Sequence, residues 1–205
     1  EKYKVGLVQM SMGTDLDANL TKAVEFVEEA AGQGANIICL PEMFRSQYFC
    51  QLEDADLFDL AEPLDGPSAK ALSAVADKTG ATVIAPIFEQ RALGLYHNSL
   101  IIIKPGEPIA GVYRKMHIPD DPAYYEKFYF TPGDMGFKTF DTEYGKIGTL
   151  ICWDQWYPEG ARITALMGAE ILFYPMAIGW ATSQDEATNT EQYNAWQVIQ
   201  RSHAV

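Results

Sequence analysis

The 205 residues are 48% hydrophobic and 12% aromatic, enough to build one domain with a substantial core, which excludes a disordered or fibrous chain. Fifteen basic against 28 acidic residues give a formal charge of -13. That balance disfavours nucleic acid or an anionic bilayer as partner and favours neutral or cationic small molecules, although an acidic surface also simply aids solubility.

Three cysteines, Cys39, Cys50 and Cys152, are an odd number in a chain too large to depend on disulfides, so a reducing compartment is the simpler reading. No apolar run approaches the roughly 20 residues of a spanning helix, and no charged-then-apolar leader opens the chain. The expectation is a soluble, cytoplasmic protein. Asn19-Leu20-Thr21 matches a glycosylation triplet, read here as a chance match.

Lys4 to Gln9 alternates like a strand. Leu20, Ala23, Val24, Val27 and Ala30 then fall at helical spacing over Asp17 to Ala31, closed by Gly32 and Gly34. Ala35 to Leu40 is a short apolar strand that Pro41-Glu42 terminates. Gly66 to Gly80 reads as a helix with Pro67 in its first turn, and Ala81 to Phe88 as a strand. His97 to Lys104 and Pro108 to Arg114 form an antiparallel pair around the Pro105-Gly106 turn, and Lys115 comes where the second strand runs out.

Met116 to Gly136, rich in Pro, Asp and aromatics, shows no sustained period and reads as a long functional loop. Phe137 to Asp141 and Lys146 to Ile151 form a hairpin turning at Tyr144-Gly145. Pro158 to Gly168 is helical, Glu170 to Tyr174 a strand, and Thr190 to Ala204 an amphipathic helix. Alternating strands and helices with intervening hairpins predict an α/β fold with mixed sheets. No linker or repeat divides residues 1 to 205, which read as a single domain. The last helix carries Trp196, Val198 and Ile199 on one face without a closing strand, so the chain reads as truncated at its C-terminal end.

Cys152 ends the apolar run Ile147-Gly148-Thr149-Leu150-Ile151. A thiol at the carboxyl edge of an open sheet lies where such sheets bind ligands, and it becomes nucleophilic only beside a base or a cation. Glu42 and Lys115, also at strand ends, supply a candidate base and a candidate cation for a developing oxyanion. The backbone N–H of Trp153 offers a second donor, and Glu126 lies in the intervening loop. On pattern alone, a cysteine finishing an apolar strand reads more readily as core, and the charged residues as solvated. The three histidines and three cysteines lack zinc-ligand spacing; His97, His117 and His203 read as surface or packing residues, with His117 near enough to Lys115 to line a pocket. No Gly-x-Ser-x-Gly elbow, Walker loop or Gly-x-Gly-x-x-Gly fingerprint occurs.

Ile38-Cys39-Leu40-Pro41-Glu42, Tyr113-Arg114-Lys115-Met116-His117-Ile118-Pro119 and Gly148-Thr149-Leu150-Ile151-Cys152-Trp153-Asp154 resemble, in order and spacing, the three motif blocks of the nitrilase superfamily of carbon-nitrogen hydrolases. The longer runs His117 to Asp120, Tyr125 to Asp134, Cys152 to Glu159 and Ile171 to Pro175 are similar to its N-carbamoylputrescine amidase branch, which acts in polyamine biosynthesis. The resemblance implies an αββα sandwich whose C-terminal strands are missing from this sequence. It implies Glu42 as general base, Lys115 as stabiliser of the tetrahedral intermediate, Cys152 as nucleophile and Glu126 as the second glutamate that positions lysine and substrate. It implies a covalent thioester, no metal or organic cofactor, a small carbamoyl amine as substrate, no nucleic acid or membrane partner, and a homodimer or larger homo-oligomer. A β-ureidopropionase or another amidase or nitrilase of the superfamily, and a noncatalytic binding or regulatory relative, remain as alternatives. For the far end of the substrate, Tyr48, Trp153, Trp180 and Asp154 lie in segments that suit a pocket wall; Tyr48 and Trp153 are the candidate contacts.

Overall fold

The computed structural model describes residues 2–182 and 184–205. In chain order the elements are β1 (Val5–Leu7), α1 (Leu16–Gly32), β2 (Ile37–Cys39), α2 (Pro67–Thr79), β3 (Thr82–Ala92), β4 (Leu95–Lys104), β5 (Glu107–Arg114), α3 (Glu126–Tyr129), β6 (Thr139–Thr142), β7 (Gly145–Thr149), α4 (Pro158–Leu166), β8 (Ile171–Phe173) and α5 (Glu186–His203). Two short 3-10 segments, Ala55–Leu60 and Cys152–Trp156, complete the set.

Local chemistry sets several of these boundaries. The Asp15 carboxylate accepts the free N–H groups of Asp17 and Ala18 and starts α1. Pro67 opens α2, and Gly80, at φ 76°, closes it in the left-handed conformation that glycine adopts without strain. Helix α5 begins one turn earlier than its apolar spacing indicated, because Asp185 caps it by accepting from the Thr188 N–H at 2.9 Å.

The strands form a five-stranded sheet, β1-β2-β3-β4-β5, and a three-stranded sheet, β6-β7-β8. Strands β1, β2 and β3 are parallel while β4 and β5 alternate, and β6 is antiparallel to β7, itself parallel to β8; both sheets are mixed, as expected. Alternation within each strand of the larger sheet serves two cores. Ile38, Val83, Ala85, Ile101 and Ile103 pack against Leu20, Ala23 and Val27 of α1 and Leu72, Val75 and Ala76 of α2. Ile37, Ile84, Leu100, Ile102 and Tyr113, on the other face, pack against Ile147 and Phe173 of the smaller sheet. Buried on both sides, these strands read as continuous apolar runs. Helix α4 covers the outer face of β7, where a Cβ added at Gly148 would lie 2.2 Å from Cγ2 of Thr164. The layers are therefore helix, sheet, sheet, helix.

Strand direction explains where the chemistry collects. With β3 parallel to β2 and β4 reversed between β3 and β5, the carboxyl ends of β2 and β5 and the amino end of β4 share one edge. The long segment after β5 is pinned there by a third core, in which Phe49, Phe88, Tyr129 and Phe130 meet edge to face: Phe49–Tyr129 centroids are 4.9 Å apart at 84°, and Phe88–Phe130 5.2 Å at 89°. Among the described residues no helix is long and apolar enough to cross a membrane.

Gly133 crosses the end of β5 at such close range that an added Cβ would lie 2.1 Å from the Arg114 carbonyl oxygen, while its N–H donates to the Lys115 carbonyl at 2.8 Å. Backbone cannot rotate away as a side-chain tip can. Gly133→Ala is expected to cost about 1–3 kcal/mol in urea unfolding, the usual range for overpacking, and an unchanged midpoint would refute this packing.

Candidate active site

Glu42 lies three residues past β2, Lys115 directly after β5, and Glu126 opens α3. The expected strand-end position of Cys152 is corrected in detail. Strand β7 stops at Thr149, and Cys152 starts a 3-10 turn with φ at +42°. A non-glycine residue there is strained, by about 1–3 kcal/mol. The surroundings impose it: the Cys152 N–H donates to the Pro175 carbonyl at 3.0 Å, and the Ile151 N–H to Oδ2 of Asp154 at 2.9 Å.

The structure brings all four expected side chains together. Nζ of Lys115 lies 3.0 Å from Oε1 of Glu42 and 2.7 Å from Oε2 of Glu126, and Lys115 and Glu42 are 0% exposed and Glu126 1%. Burial works against the ammonium, but the charges of Glu42, Cys152 and Glu126 outweigh it and hold the Lys115 pKa above its ordinary value. Burial, only partly opposed by Lys115, raises the Glu126 pKa, with Glu42 adding repulsion. Burial, and then Glu42, hold the Cys152 thiol well above the usual range, with Lys115 pulling it down. The Cys152 thiol thus stands beside a carboxylate that can take its proton during a reaction.

Tyr48 reaches this group differently from the expected substrate contact: its hydroxyl donates to Oε1 of Glu126 at 2.8 Å, fixing the second carboxylate. Trp153 does line the cavity beside Cys152, its indole N–H held by the Tyr157 hydroxyl at 2.7 Å. Its backbone N–H, in the first turn after the cysteine, is of the kind that a helix start leaves without an intrahelical partner. Trp180 also lines the cavity.

Asp154 does not. It is fully buried and accepts from Tyr113 Oη at 2.7 Å, the His117 N–H at 3.0 Å and the Ile151 N–H, with His117 Nδ1 2.7 Å away. It ties the end of β5, which carries Lys115, to the residue before Cys152. His117 is drawn to Asp154 and stacks on Tyr157 at 3.7 Å, so it is not part of the cavity lining; His97 is buried with Nδ1 2.8 Å from the Thr131 carbonyl, and His203 Nε2 lies 2.7 Å from that of Gln155.

Sequence reasoning passed over Asn98, Ala177 and Glu89. Asn98 Nδ2 donates to Oε1 of Glu42 at 2.7 Å and the Ala177 N–H to Oε2 at 2.9 Å. Glu89 is bridged twice by Arg114, at 2.6 and 2.7 Å, and takes Ser99 Oγ at 2.5 Å, which anchors the strand end before Lys115. One signal was legible: His97-Asn98-Ser99 is a polar triplet directly before the apolar run Leu100 to Ile103 of the same strand, and all three are buried.

Cys152 and Glu126 open onto a cavity of about 690 Å³ walled by Trp153, Trp156, Trp180, Tyr124 and Tyr193, with Asp121 at its side. Asp121 and Glu126 are the only charged side chains among the described lining residues. A thiol, a cation and two carboxylates at one end of an aromatic cavity can perform acyl transfer: nucleophile, proton acceptor and oxyanion partner are all present. Among the described residues no group of three or more His, Cys, Asp or Glu side chains is arranged to hold a metal ion.

The two-sheet sandwich with this cluster at its edge is the nitrilase fold. A solved member of branch 10 of the nitrilase superfamily from Saccharomyces cerevisiae superposes with a TM-score of 0.80 at 30% identity, over 99% of this chain and 71% of that one. The chain belongs to the carbon-nitrogen hydrolase family, whose pattern it matches over residues 4–205. It is 43% identical over 201 residues to N-carbamoylputrescine amidase of Arabidopsis thaliana, covering 98% of this chain and 66% of that protein. It is likewise 43% identical over 202 residues to citrullinase of Francisella tularensis, covering 98% and 69%. A solved carbon-nitrogen hydrolase from Helicobacter pylori G27 is 46% identical with a TM-score of 0.94, over 99% of this chain and 70% of that one. The chain thus spans 66% of the length of its plant relative.

Alkylation tests the electrostatics. Iodoacetamide should modify Cys152, which faces the cavity, and spare Cys39 and Cys50, which are buried. Because the thiol pKa is raised, the rate should keep climbing between about pH 7 and 9, where an ordinary cysteine near its pKa of about 8.5 begins to level. Glu42→Gln removes a charge that raises it, so alkylation at pH 8 should quicken. A slower variant would contradict the assigned geometry, and an inert Cys152 would favour a noncatalytic relative.

Proposed function

We propose that the chain carries the active site of a thiol amidohydrolase that cleaves N-carbamoylputrescine to putrescine, ammonia and carbon dioxide, a reaction of polyamine biosynthesis. The observation that carries the reading is the sealed Glu42–Lys115–Glu126 cluster beside Cys152, opening on a cavity whose charged lining is entirely acidic. An acidic, aromatic wall suits a ligand with a ureido group at one end and an ammonium at the other.

In this reading Glu42 takes the Cys152 proton as sulfur attacks the carbamoyl carbon, and Lys115 with the Trp153 N–H stabilises the oxyanion. Glu42 returns the proton to the terminal nitrogen, ammonia leaves, and a thioester joins the alkylcarbamoyl group to Cys152. Water then gives up a proton to Glu42 and attacks the thioester. The sulfur leaves and is reprotonated, and the released carbamic acid loses carbon dioxide to give the diamine. Glu126 and Tyr48 hold Lys115 in place throughout, and Trp153 walls the methylene chain. No metal or organic cofactor enters this scheme. The same proposal places the protein in the cytoplasm as a homodimer or larger homo-oligomer; Leu166, Met167 and Val198 are exposed apolar side chains at the end of α4 and on α5.

Ammonia release should be measured with three ureido compounds at equal concentration. N-carbamoylputrescine should be turned over fastest, and Cys152→Ala should abolish the release. Citrulline is the second reading, favoured by the 43% identity to citrullinase; it carries a carboxylate beside its ammonium, and no lining residue described here offers that carboxylate a cation. N-carbamoyl-β-alanine, which ends in a carboxylate alone, should be poorest; preference for it would convert the assignment to a β-ureidopropionase.

Asp121 is the lining carboxylate without a side-chain hydrogen bond or ion pair among the described residues, whereas Glu126 is committed to Lys115 and Tyr48. It receives the distal ammonium. Losing one charge-assisted bond of about 1.5–3 kcal/mol should raise KM for N-carbamoylputrescine about 10- to 100-fold in Asp121→Asn. The neutral isostere N-pentylurea, with a methyl group in place of the ammonium, should be unaffected. Equal effects on both compounds would remove Asp121 from substrate recognition.

A further inference from the structure

We infer that Asn98 is a positioning residue that aims the Glu42 carboxylate at the Cys152 thiol. The inference rests on the reading of Glu42 as base but not on any particular substrate.

A carboxylate offers about four lone pairs. On Oε1 of Glu42, Asn98 Nδ2 at 2.7 Å and Lys115 Nζ at 3.0 Å occupy two; on Oε2, the Ala177 N–H at 2.9 Å occupies a third. One acceptor position on Oε2 is left for the thiol proton. With water excluded from Glu42 and Asn98, both 0% exposed, the Asn98 amide decides which oxygen remains free. Lys115 alone cannot do so, because Glu126 shares its ammonium at 2.7 Å and a flexible ammonium has no fixed plane.

Two further observations set Asn98 apart from an ordinary buried amide. Its main chain holds the other half of the site: the Lys115 N–H donates to the Asn98 carbonyl at 2.8 Å. One residue at the amino end of β4 therefore fixes the base through its side chain and the cation through its backbone. Its Oδ1, moreover, is buried without a protein partner among the described residues. A purely structural asparagine is normally satisfied at both ends; here the orientation is dictated by Glu42 alone. The charged and titratable groups facing Glu42 from the surrounding segments are Lys115, Glu126, Cys152, Tyr48 and Cys50.

A mutant cycle on Cys152 alkylation, read at pH 8 without substrate, tests this. Asn98→Ala removes a donor that offsets the Glu42 charge, so the thiol pKa should rise by about half a unit and alkylation slow at least about threefold. In a Glu42→Gln background the same substitution should change the rate by less than about 1.5-fold, since the carboxylate it acts through is gone. Asn98→Asp, of the same shape, should slow alkylation in the same direction and serves if the alanine variant fails to fold. With substrate, Asn98→Ala should lower kcat by about 100-fold, as for a misplaced general base, with KM changed less than about threefold. Wild-type alkylation in both Asn98 variants, or an effect undiminished in the Glu42→Gln background, overturns the inference. If alkylation shows the coupling but the unmodified protein hydrolyses no ureido amine, the proposed substrate fails and the role of Asn98 stands.

Discussion

The site is organised around an ammonium buried where water does not reach. Taking a lysine charge out of water costs several kcal/mol even after relaxation, and Lys115 tolerates it because Glu42 and Glu126 close on its Nζ from two sides. Each carboxylate would itself be costly there without further donors, which come from Asn98, Ala177 and Tyr48. These groups come from five separate segments, so the charge balance can be satisfied only when β2 with the stretch that follows it, β4, β5, the segment after β8 and the segment carrying Glu126 are all in place. The electrostatics of one amine thus impose the edge geometry of the whole sandwich.

Other polar contacts transmit that geometry between the two sheets. Asp154 joins Tyr113 on the larger sheet to Ile151 beside the thiol. The segment after β8 holds the cysteine through Pro175 and the base through Ala177. Nucleophile and base come from different sheets, and these contacts register one sheet against the other to within a hydrogen bond. That tolerance is what acyl chemistry requires, since displacements of about 1 Å can cost 100-fold in rate.

Much of this could be read from residue order. Apolar spacing located the core strands and helices, because burial of a face leaves a period, and the motif blocks around Glu42, Lys115 and Cys152 marked the family. What stayed hidden was either non-local or aperiodic. Asp154 and Asp121 are both loop aspartates in sequence, and only the fold shows the first consumed by four contacts from three neighbours and the second facing the cavity. Nothing in the neighbourhood of Tyr48 reveals Glu126, 78 residues away, as its hydrogen-bond partner. The aromatic packing that fixes the Met116 to Gly136 loop has no period to detect, since its rings come from separate segments.

The positive φ of Cys152 sets the interests of the fold against those of the reaction. Glycine would relax that backbone. A library selected for thermal stability alone should therefore lose the nucleophile early, and variants recovered at this position would rank high in melting temperature and dead in turnover. Mutational tolerance measured by folding and by activity should diverge more at residue 152 than at the core positions beside it, such as Leu150 and Ile151, where both depend on the same packing.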